Sequence, residues 1–259
     1  MKLQLFRNTP PRGPVVPDVT TAPAPITIGI LGVGKLGTAL GRLVLDAGYD
    51  LVLAGRPAAQ DDPMLGLIVT SLLPEARLAD FATLAAAARV TILAVPRPAL
   101  AEVDLGALRG IVVDATNAWE ATDGAPPDAG VGGSDVGGGG FAALAAAHPH
   151  LSFVRAFNHA SYTDLGADAR PAGVPGRRAL GVAGGAPAVD AIAELVDALG
   201  FDPVVLDAEQ AHLLDVDGPV FGRRLERAEF EAAVGIPGGR AVDERTSGGG
   251  DIVRSVPSV

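Results

Sequence analysis

The sequence predicts an α/β fold in which helices cover both faces of a doubly wound parallel sheet. Three observations support this prediction. The strand-like segments are continuous apolar runs, helical patterns separate them, and a glycine-rich turn joins the first strand to the first helix. Strands that are buried on both faces have this uninterrupted apolar character, whereas half-exposed strands alternate apolar and polar residues. A chain of 259 residues is long enough for one domain with an extension.

The first elements are a strand, a turn and a helix. Residues 26–31 form a β-branched apolar run that is followed by a glycine turn. Apolar residues then recur at i, i+3, i+4 and i+7 over residues 36–47, and Gly48 stands where a helix C-terminus favours glycine. Further buried strands are predicted at 51–54, 90–95, 111–115 and 151–157.

A small strand–helix–strand extension is predicted at the C-terminal side. It comprises a strand at 178–183, a helix at 189–199 stopped by Gly200, and a last strand at 204–206. The domain therefore spans residues 26–236. A flexible proline-rich leader is predicted for residues 1–25 and a disordered glycine-rich tail for residues 237–259, with a glycine-rich loop at 121–140.

Composition excludes several classes of function. A formal net charge of -10 argues against sequence-neutral nucleic-acid binding, which needs clustered cations, and is also an ordinary solubility feature. The absence of cysteine excludes disulfides, thiolate nucleophiles and cysteine-ligated metals. No apolar run is long enough for a membrane span, and the leader lacks the apolar core of a signal peptide. We therefore expect a cytoplasmic protein. The histidines follow no ligand spacing, so no metal is expected.

The strongest motif is the turn Gly32-Val33-Gly34-Lys35-Leu36-Gly37 between the first strand and the first helix. In a Rossmann-type fold the first glycine permits the tight turn and the second lets the backbone approach a pyrophosphate. The third allows close helix–strand packing, and the helix N-terminus attracts the phosphates. A plain strand-to-helix turn is the alternative, because glycine is abundant in this chain.

The end of the second strand indicates which dinucleotide binds. NAD sites usually carry an acidic residue there, but this strand ends Ala54-Gly55-Arg56. A guanidinium can make a forked pair with a 2′-phosphate, so Arg56 favours NADP(H). The alternative is a solvated loop charge.

Four more positions are expected at the carboxyl ends of later strands, where ligands bind in open α/β sheets. Val95 and Pro96 form a rigid bend that either borders the cofactor or merely ends a strand. Asn117 is a candidate for bonding a ribose or carboxamide, and Trp119 for shielding a ring or for ordinary packing.

The run that ends at Ala156 places Asn158 and His159 at the same edge. His159 is either a catalytic group or a hydrogen-bonded structural histidine. A later basic cluster of Arg170, Arg177 and Arg178 either attracts a second anionic cofactor or forms salt bridges.

Together these motifs resemble the F420-dependent NADP oxidoreductase family over about residues 26–234. The resemblance rests on the order and spacing of seven segments, at residues 30–37, 54–56, 92–96, 114–119, 156–159, 169–173 and 200–204.

The resemblance implies NADP(H) along the first turn, with its 2′-phosphate near Gly55 and Arg56. It also implies a deazaflavin, coenzyme F420, stacked on the nicotinamide, with hydride passing between the two rings. The protein then supplies mainly binding and orientation, and Asn158 or His159 would bond the deazaflavin edge. Gly55 departs from the family, which often has Ser or Thr there.

Two other functions use the same fold, because the site and not the fold sets the activity. One is an NADPH-dependent reductase of a small imine or carbonyl. The other is a non-catalytic NADPH-binding sensor. A homodimer is an expectation for this fold.

Overall fold

The structure is a computed structural model that describes residues 26–56, 59, 62–117 and 139–236. The predicted leader at 1–25 and tail at 237–259 lie outside the described residues. So do Trp119 and most of the glycine-rich loop predicted at 121–140, although its last two residues begin a helix.

The described residues form one eight-stranded sheet with the order β3-β2-β1-β4-β5-β6-β7-β8. The strands are β1 Thr27–Leu31, β2 Asp50–Ala54, β3 Arg77–Ala79, β4 Val90–Leu93, β5 Ile111–Asp114, β6 Ser152–Ala156, β7 Ala179–Gly184 and β8 Asp202–Leu206. The predicted α/β Rossmann-type fold is confirmed, including the C-terminal strand–helix–strand extension.

Two features of the sheet differ from the prediction. The pair β6–β7 is antiparallel, so β7 and β8 run opposite to the other six strands. As a result, the amino ends of β7 and β8 lie beside the carboxyl end of β6. The edge strand β3 escaped prediction because its three residues, Arg-Leu-Ala, are mostly exposed and present no apolar run.

Seven α-helices connect or cover the strands in the described parts of the chain. They are α1 Lys35–Asp46, α2 Pro63–Leu72, α3 Phe81–Ala87, α4 Gly139–Ala147, α5 Tyr162–Asp168, α6 Ala188–Ala198 and α7 Arg227–Ala233. Side chains of Asp62, Asp80 and Ser161 cap α2, α3 and α5 by accepting backbone N–H bonds. The two helices predicted from periodicity, α1 and α6, begin and end within one residue of the prediction.

Apolar side chains fill both sides of the sheet. On one side, α1 and α6 cover strand residues such as Ile30 and Val182. On the other side, Leu84 of α3, Phe141 of α4 and Phe230 of α7 belong to a second buried cluster. Burial on both faces explains why the strand sequences show no alternation.

The predicted strand at 90–95 is shorter in the structure. β4 ends at Leu93, and Pro96 leads into a 3₁₀ helix at Arg97–Glu102. Proline has no N–H to continue a ladder, so the chain turns away from the sheet there. Within the described ranges, every helix is too short or too polar to cross a bilayer.

Candidate cofactor site

The glycine turn lies where β1 separates β2 on one side from β4 on the other. Such a reversal of strand order opens a crevice at the carboxyl ends of the strands. Gly32 has φ of +120°, which favours glycine, and its N–H donates to the Ala54 carbonyl at 2.8 Å. A Cβ at Gly32 would collide with the carbonyl of Ala94.

Gly37 and Gly34 differ in what surrounds them. A Cβ at Gly37 would collide with the carbonyl oxygen of Gly32, so this glycine lets α1 begin tightly against the strand. A Cβ at Gly34 would meet no atom of the described residues within 4 Å. Protein packing therefore explains Gly32 and Gly37, but it does not explain Gly34. The open space beside Gly34 fits the approach of a ligand to the backbone.

The N-terminus of α1 is suited to an anion. Gly34 is the N-cap, no side chain caps the helix, and its first turn carries no acid. The Lys35 ammonium lies 5.3 Å from the centroid of the Tyr162 ring, at the start of α5. The uncapped N–H groups, the helix dipole and this cation favour phosphate binding. Val33 is buried and Leu36 is half-buried beneath the turn.

Arg56 lies just beyond β2 with its side chain 49% exposed. Among the described residues its acidic partner is Glu102 at 3.8 Å, which is itself well exposed, so this ion pair is weak. The guanidinium therefore remains available to an anion. Neighbouring Gly55 is buried, and a Cβ there would come within 2.5 Å of the Leu65 side chain. Leu65 thus occupies the space that a serine or threonine would need.

A charged network spans the carboxyl ends of β5 and β6. The fully buried Asp114 accepts from Arg155 at 2.9 Å and from Arg97 at 3.4 Å, and its other oxygen accepts from the Thr116 hydroxyl at 2.7 Å. Arg155 also pairs with Asp215 at 2.5 Å. Two cations and two carboxylates therefore balance one another beside the crevice.

This network is not predicted from the sequence, although the sequence contains one signal of a buried ion pair. Arg155 interrupts the apolar run of β6, and a charge inside a buried strand needs a partner. The identity of that partner was not readable, because Asp114 and Asp215 lie about 40 and 60 positions away.

Asn117 and Asn158 form a pair at the same edge. The Asn117 amide donates to the Asn158 carbonyl at 2.8 Å. The Asn158 amide donates to the Leu214 carbonyl at 2.6 Å and to Asn117 Oδ1 at 3.3 Å. Asn158 is buried and uses both amide hydrogens, whereas Asn117 is half-buried. Among the described residues, one Asn117 amide hydrogen therefore has no acceptor and is open to a ligand, whereas both Asn158 amide hydrogens have one.

His159 is also buried. Its Nε2 accepts the Gly181 N–H of β7 at 3.1 Å, and its Nδ1 lies 3.4 Å from Asn158 Oδ1. Burial, with smaller contributions from the Arg178 and Arg155 charges, lowers the pKa of His159 to about 3. The structure places Asn158 and His159 at the predicted edge but turns neither toward open space. This geometry matches the structural histidine of the two alternatives.

The low pKa of His159 predicts a loss of stability in mild acid. Between about pH 6.5 and pH 3 the unfolded chain binds a proton that the folded chain does not, so this contribution is present above pH 6.5 and declines as pH falls. The slope is about 1.4 kcal/mol per pH unit. Replacing His159 with glutamine should reduce the pH dependence of the unfolding free energy by one proton. Urea unfolding at several pH values measures this free energy. Equal pH dependence in the variant and the wild type would contradict the low pKa of His159.

In the basic cluster, Arg177 and Arg178 form salt bridges, which is the second of the two alternatives predicted for it. Arg178 is fully buried and pairs with Asp164 at 3.0 Å and Asp168 at 3.1 Å. Arg177 pairs with Asp197 at 2.7 Å and Asp202 at 2.9 Å. Arg170 donates to the Asp168 carbonyl at 3.1 Å. Carboxylates therefore neutralise Arg177 and Arg178 at the amino ends of β7 and β8, whereas the Arg170 guanidinium contacts backbone carbonyls.

The remaining predicted positions differ in accessibility. Val95 is buried and Pro96 exposed beside the glycine turn, whereas Ala156 is fully buried in the ladder opposite Val182.

In the described part of the chain, no group of three or more His, Cys, Asp or Glu residues has the geometry of a metal site.

Residues 27–118 match the family model described as NADP oxidoreductase, coenzyme F420-dependent. No curated protein matches the chain.

Solved structures extend the likeness over most of the chain. A hypothetical protein from Sinorhizobium meliloti is 26% identical with a TM-score of 0.63, covering 78% of this chain and 96% of that one. A provisionally named F420-dependent NADP reductase from Arthrobacter sp. FB24 is 26% identical with a TM-score of 0.56, covering 72% and 89%.

A reductive aminase from Aspergillus terreus, in complex with NADPH and ethyl-5-oxohexanoate, is 21% identical with a TM-score of 0.50. The match covers 74% of this chain and 59% of that chain, and it shows the fold alone. The family match and the Arthrobacter structure support an NADP-dependent oxidoreductase.

Proposed function

We propose that the protein transfers hydride between NADP(H) and coenzyme F420. The match of residues 27–118 to the F420-dependent NADP oxidoreductase family model supports this proposal. NADPH supplies the hydride or NADP⁺ receives it. The chain binds the two cofactors, orients them and excludes water from the space between them.

The open space at Gly34 carries the proposal. Of the three glycines in the turn, this one alone has no packing reason within the described part of the chain, because a Cβ there would touch none of its atoms within 4 Å. The pyrophosphate of NADP(H) fits that space, where the uncapped N-terminus of α1 and the Lys35 ammonium favour negative charge. Val33, Leu36, Val95 and Pro96 border the same turn.

Arg56 is the proposed contact for the 2′-phosphate. The side chain is half-exposed and only weakly paired, so it can turn to the anion at small cost. Gly55 leaves the guanidinium without a neighbouring hydroxyl, because Leu65 fills that space. Arg56 therefore provides most of the preference for NADP(H) over NAD(H).

Beyond the carboxyl end of β5, we assign Asn117 the contact with the nicotinamide half. Its free amide hydrogen and half-buried position suit a carboxamide or ribose. Asn158 and His159 act as positioning residues, because their hydrogen bonds hold Asn117, Leu214 and β7 together. Ala156 lies in the ladder beneath them.

The buried state of His159 favours two-cofactor hydride transfer over imine or carbonyl reduction. A reductase must also deliver a proton to the new amine or alcohol. His159 is the residue type best suited to that step, but its ring is neutral, enclosed and bonded at Nε2. Hydride added to the deazaflavin leaves an anion that is delocalised over its pyrimidine ring and can take its proton from water, so this transfer needs no such donor at this edge.

A coupled absorbance assay tests the function. Purified protein is mixed with NADPH and oxidised F420, and the two absorbances are followed together. We expect both to fall at the same rate. Turnover of a small imine or ketone without F420 reduction would indicate the reductase, and NADPH binding without turnover of either would indicate a sensor. Either result would overturn the proposal.

The Arg56→Ala variant checks the cofactor assignment in the same assay. We expect its KM for NADPH to rise by about tenfold or more, while its activity with NADH stays as low as that of the wild type. The Glu102→Gln variant is the matched control, since it removes the weak partner of Arg56 without touching the guanidinium. An equal change for both nucleotides would contradict a 2′-phosphate contact.

A further inference from the structure

The cation at the glycine turn differs in type from the other cations of the domain. Lys35 is the only lysine in residues 26–236, where arginine occupies every other position with a permanent positive charge. An ammonium is a compact point charge whose three donors can turn toward phosphate oxygens, whereas a guanidinium is a wide planar fork. The compact cation therefore stands where the backbone leaves open space beside Gly34.

An exposed aromatic ring holds this ammonium. The Lys35 Nζ lies 5.3 Å from the centroid of the Tyr162 ring, within the range of a cation–π interaction. Tyr162 is 40% exposed, so its ring adds little to the apolar core. The described packing therefore gives a weak reason for a large aromatic residue at this position, and the contact with Lys35 gives a better one.

Helix α5 fixes the ring relative to the glycine turn. Ser161 caps the helix by accepting the Asp164 N–H at 3.1 Å, and Leu165 is buried in the same apolar cluster as Leu40 of α1. The Asp164 carboxylate pairs with Arg178 at 3.0 Å. Among the described residues, the Lys35 ammonium thus has an aromatic ring and not a carboxylate as its partner.

This choice of partner matters for anion binding. A carboxylate would hold the ammonium but would also neutralise it, whereas a neutral ring holds the cation and leaves its charge available. Lysine has a flexible four-carbon stem, and ordering it in advance reduces the entropy lost when an anion binds.

On the basis of the proposed function, we propose that Tyr162 is a positioning residue for NADP(H). Its ring holds the Lys35 ammonium beside the open space at Gly34, where the pyrophosphate binds. Tyr162 thereby acts on the cofactor through Lys35.

Calorimetric titration with NADPH tests this role. Tyr162→Leu should weaken binding by about two- to fivefold, the range of an exposed cation–π contact, without changing the melting curve. Tyr162→Phe keeps the ring and should bind as the wild type does. Thr163→Ala, at the next residue of α5, is the matched control and should also bind normally. Equal or tighter binding by Tyr162→Leu would overturn the proposal.

A double-mutant cycle tests whether Tyr162 acts through Lys35. Lys35→Met should weaken NADPH binding by about tenfold, and adding Tyr162→Leu should weaken it no further. Losses that multiply would overturn the role through Lys35.

A shorter ligand, 2′-AMP, provides the last control because it has the 2′-phosphate but no pyrophosphate. Its affinity should be the same for the wild type and Tyr162→Leu, and an equal loss for both ligands would overturn the pyrophosphate assignment. A wild type that binds no NADPH would overturn the proposed function together with this inference. Normal wild-type binding with no effect of Tyr162→Leu would overturn this inference alone.

Discussion

Replacing Gly34 with alanine is expected to leave the protein fully folded and to weaken NADPH binding by about tenfold or more, which is about 1.4 kcal/mol. Gly34 has φ of -85° and ψ of -168°, an extended conformation that alanine adopts freely. An added Cβ meets no atom of the described residues within 4 Å, so the free energy of unfolding should not change. The methyl group instead occupies the space through which a pyrophosphate would approach the backbone.

The matched control for this variant is Gly37→Ala, three residues along the same turn. There the new Cβ collides with the Gly32 carbonyl, so α1 must shift and the protein loses stability. Calorimetric titration with NADPH and thermal melts separate the two effects. If Gly34→Ala bound NADPH as tightly as the wild type, the open space would not be a phosphate site. Loss of stability in that variant would show that the turn is packed differently.

Much of the fold is predictable from sequence because it depends on local patterns. Glycines such as Gly48 and Gly200 stop helices α1 and α6, and both have positive φ, so sequence alone located those ends. The reversed direction of β7 is not local. It involves contacts between segments distant in sequence, such as the ion pairs of buried Arg178 with Asp164 and Asp168, which hold the start of β7 against α5.

The site is predictable only where backbone geometry defines it. The glycine turn can be recognised from the sequence, because glycines are needed where backbone segments approach one another. Asn158 and His159 were placed at the correct strand end, but their burial depends on Leu214 and Gly181, which are distant in sequence. A residue type and a strand end do not reveal whether a side chain faces ligand or protein.

Arg155→Met is expected to cost about 3–5 kcal/mol of stability, which lowers the melting temperature by about 10 °C. Arg155 is 3% exposed and holds Asp114, which is fully buried, together with Asp215. Methionine fills a similar space but leaves the Asp114 carboxylate with the bonds from Thr116 and, as a charged partner among the described residues, only the longer contact to Arg97. The penalty is thus mainly that of a buried charge without its partner.

The control is Arg224→Met, which removes another arginine–aspartate pair at 3.1 Å, but one whose arginine is 45% exposed. Its expected cost is at most about 1 kcal/mol. Adding Asp114→Asn to Arg155→Met should recover part of the loss, because the unpaired buried charge is then removed. Equal losses for the two arginine variants, measured by urea unfolding, would contradict a role for burial.

The Arg155→Met variant is also expected to change function at the crevice. Arg155 links the ends of β5 and β6 to Asp215, and Asp215 adjoins Leu214, whose carbonyl holds the Asn158 amide. Loss of this link should loosen the residues that hold Asn117, while the turn at Gly34 keeps its shape. Arg155→Met is therefore expected to lower kcat for hydride transfer much more than it raises the KM for NADPH. A change confined to KM would place the network at the phosphate end of the cofactor instead.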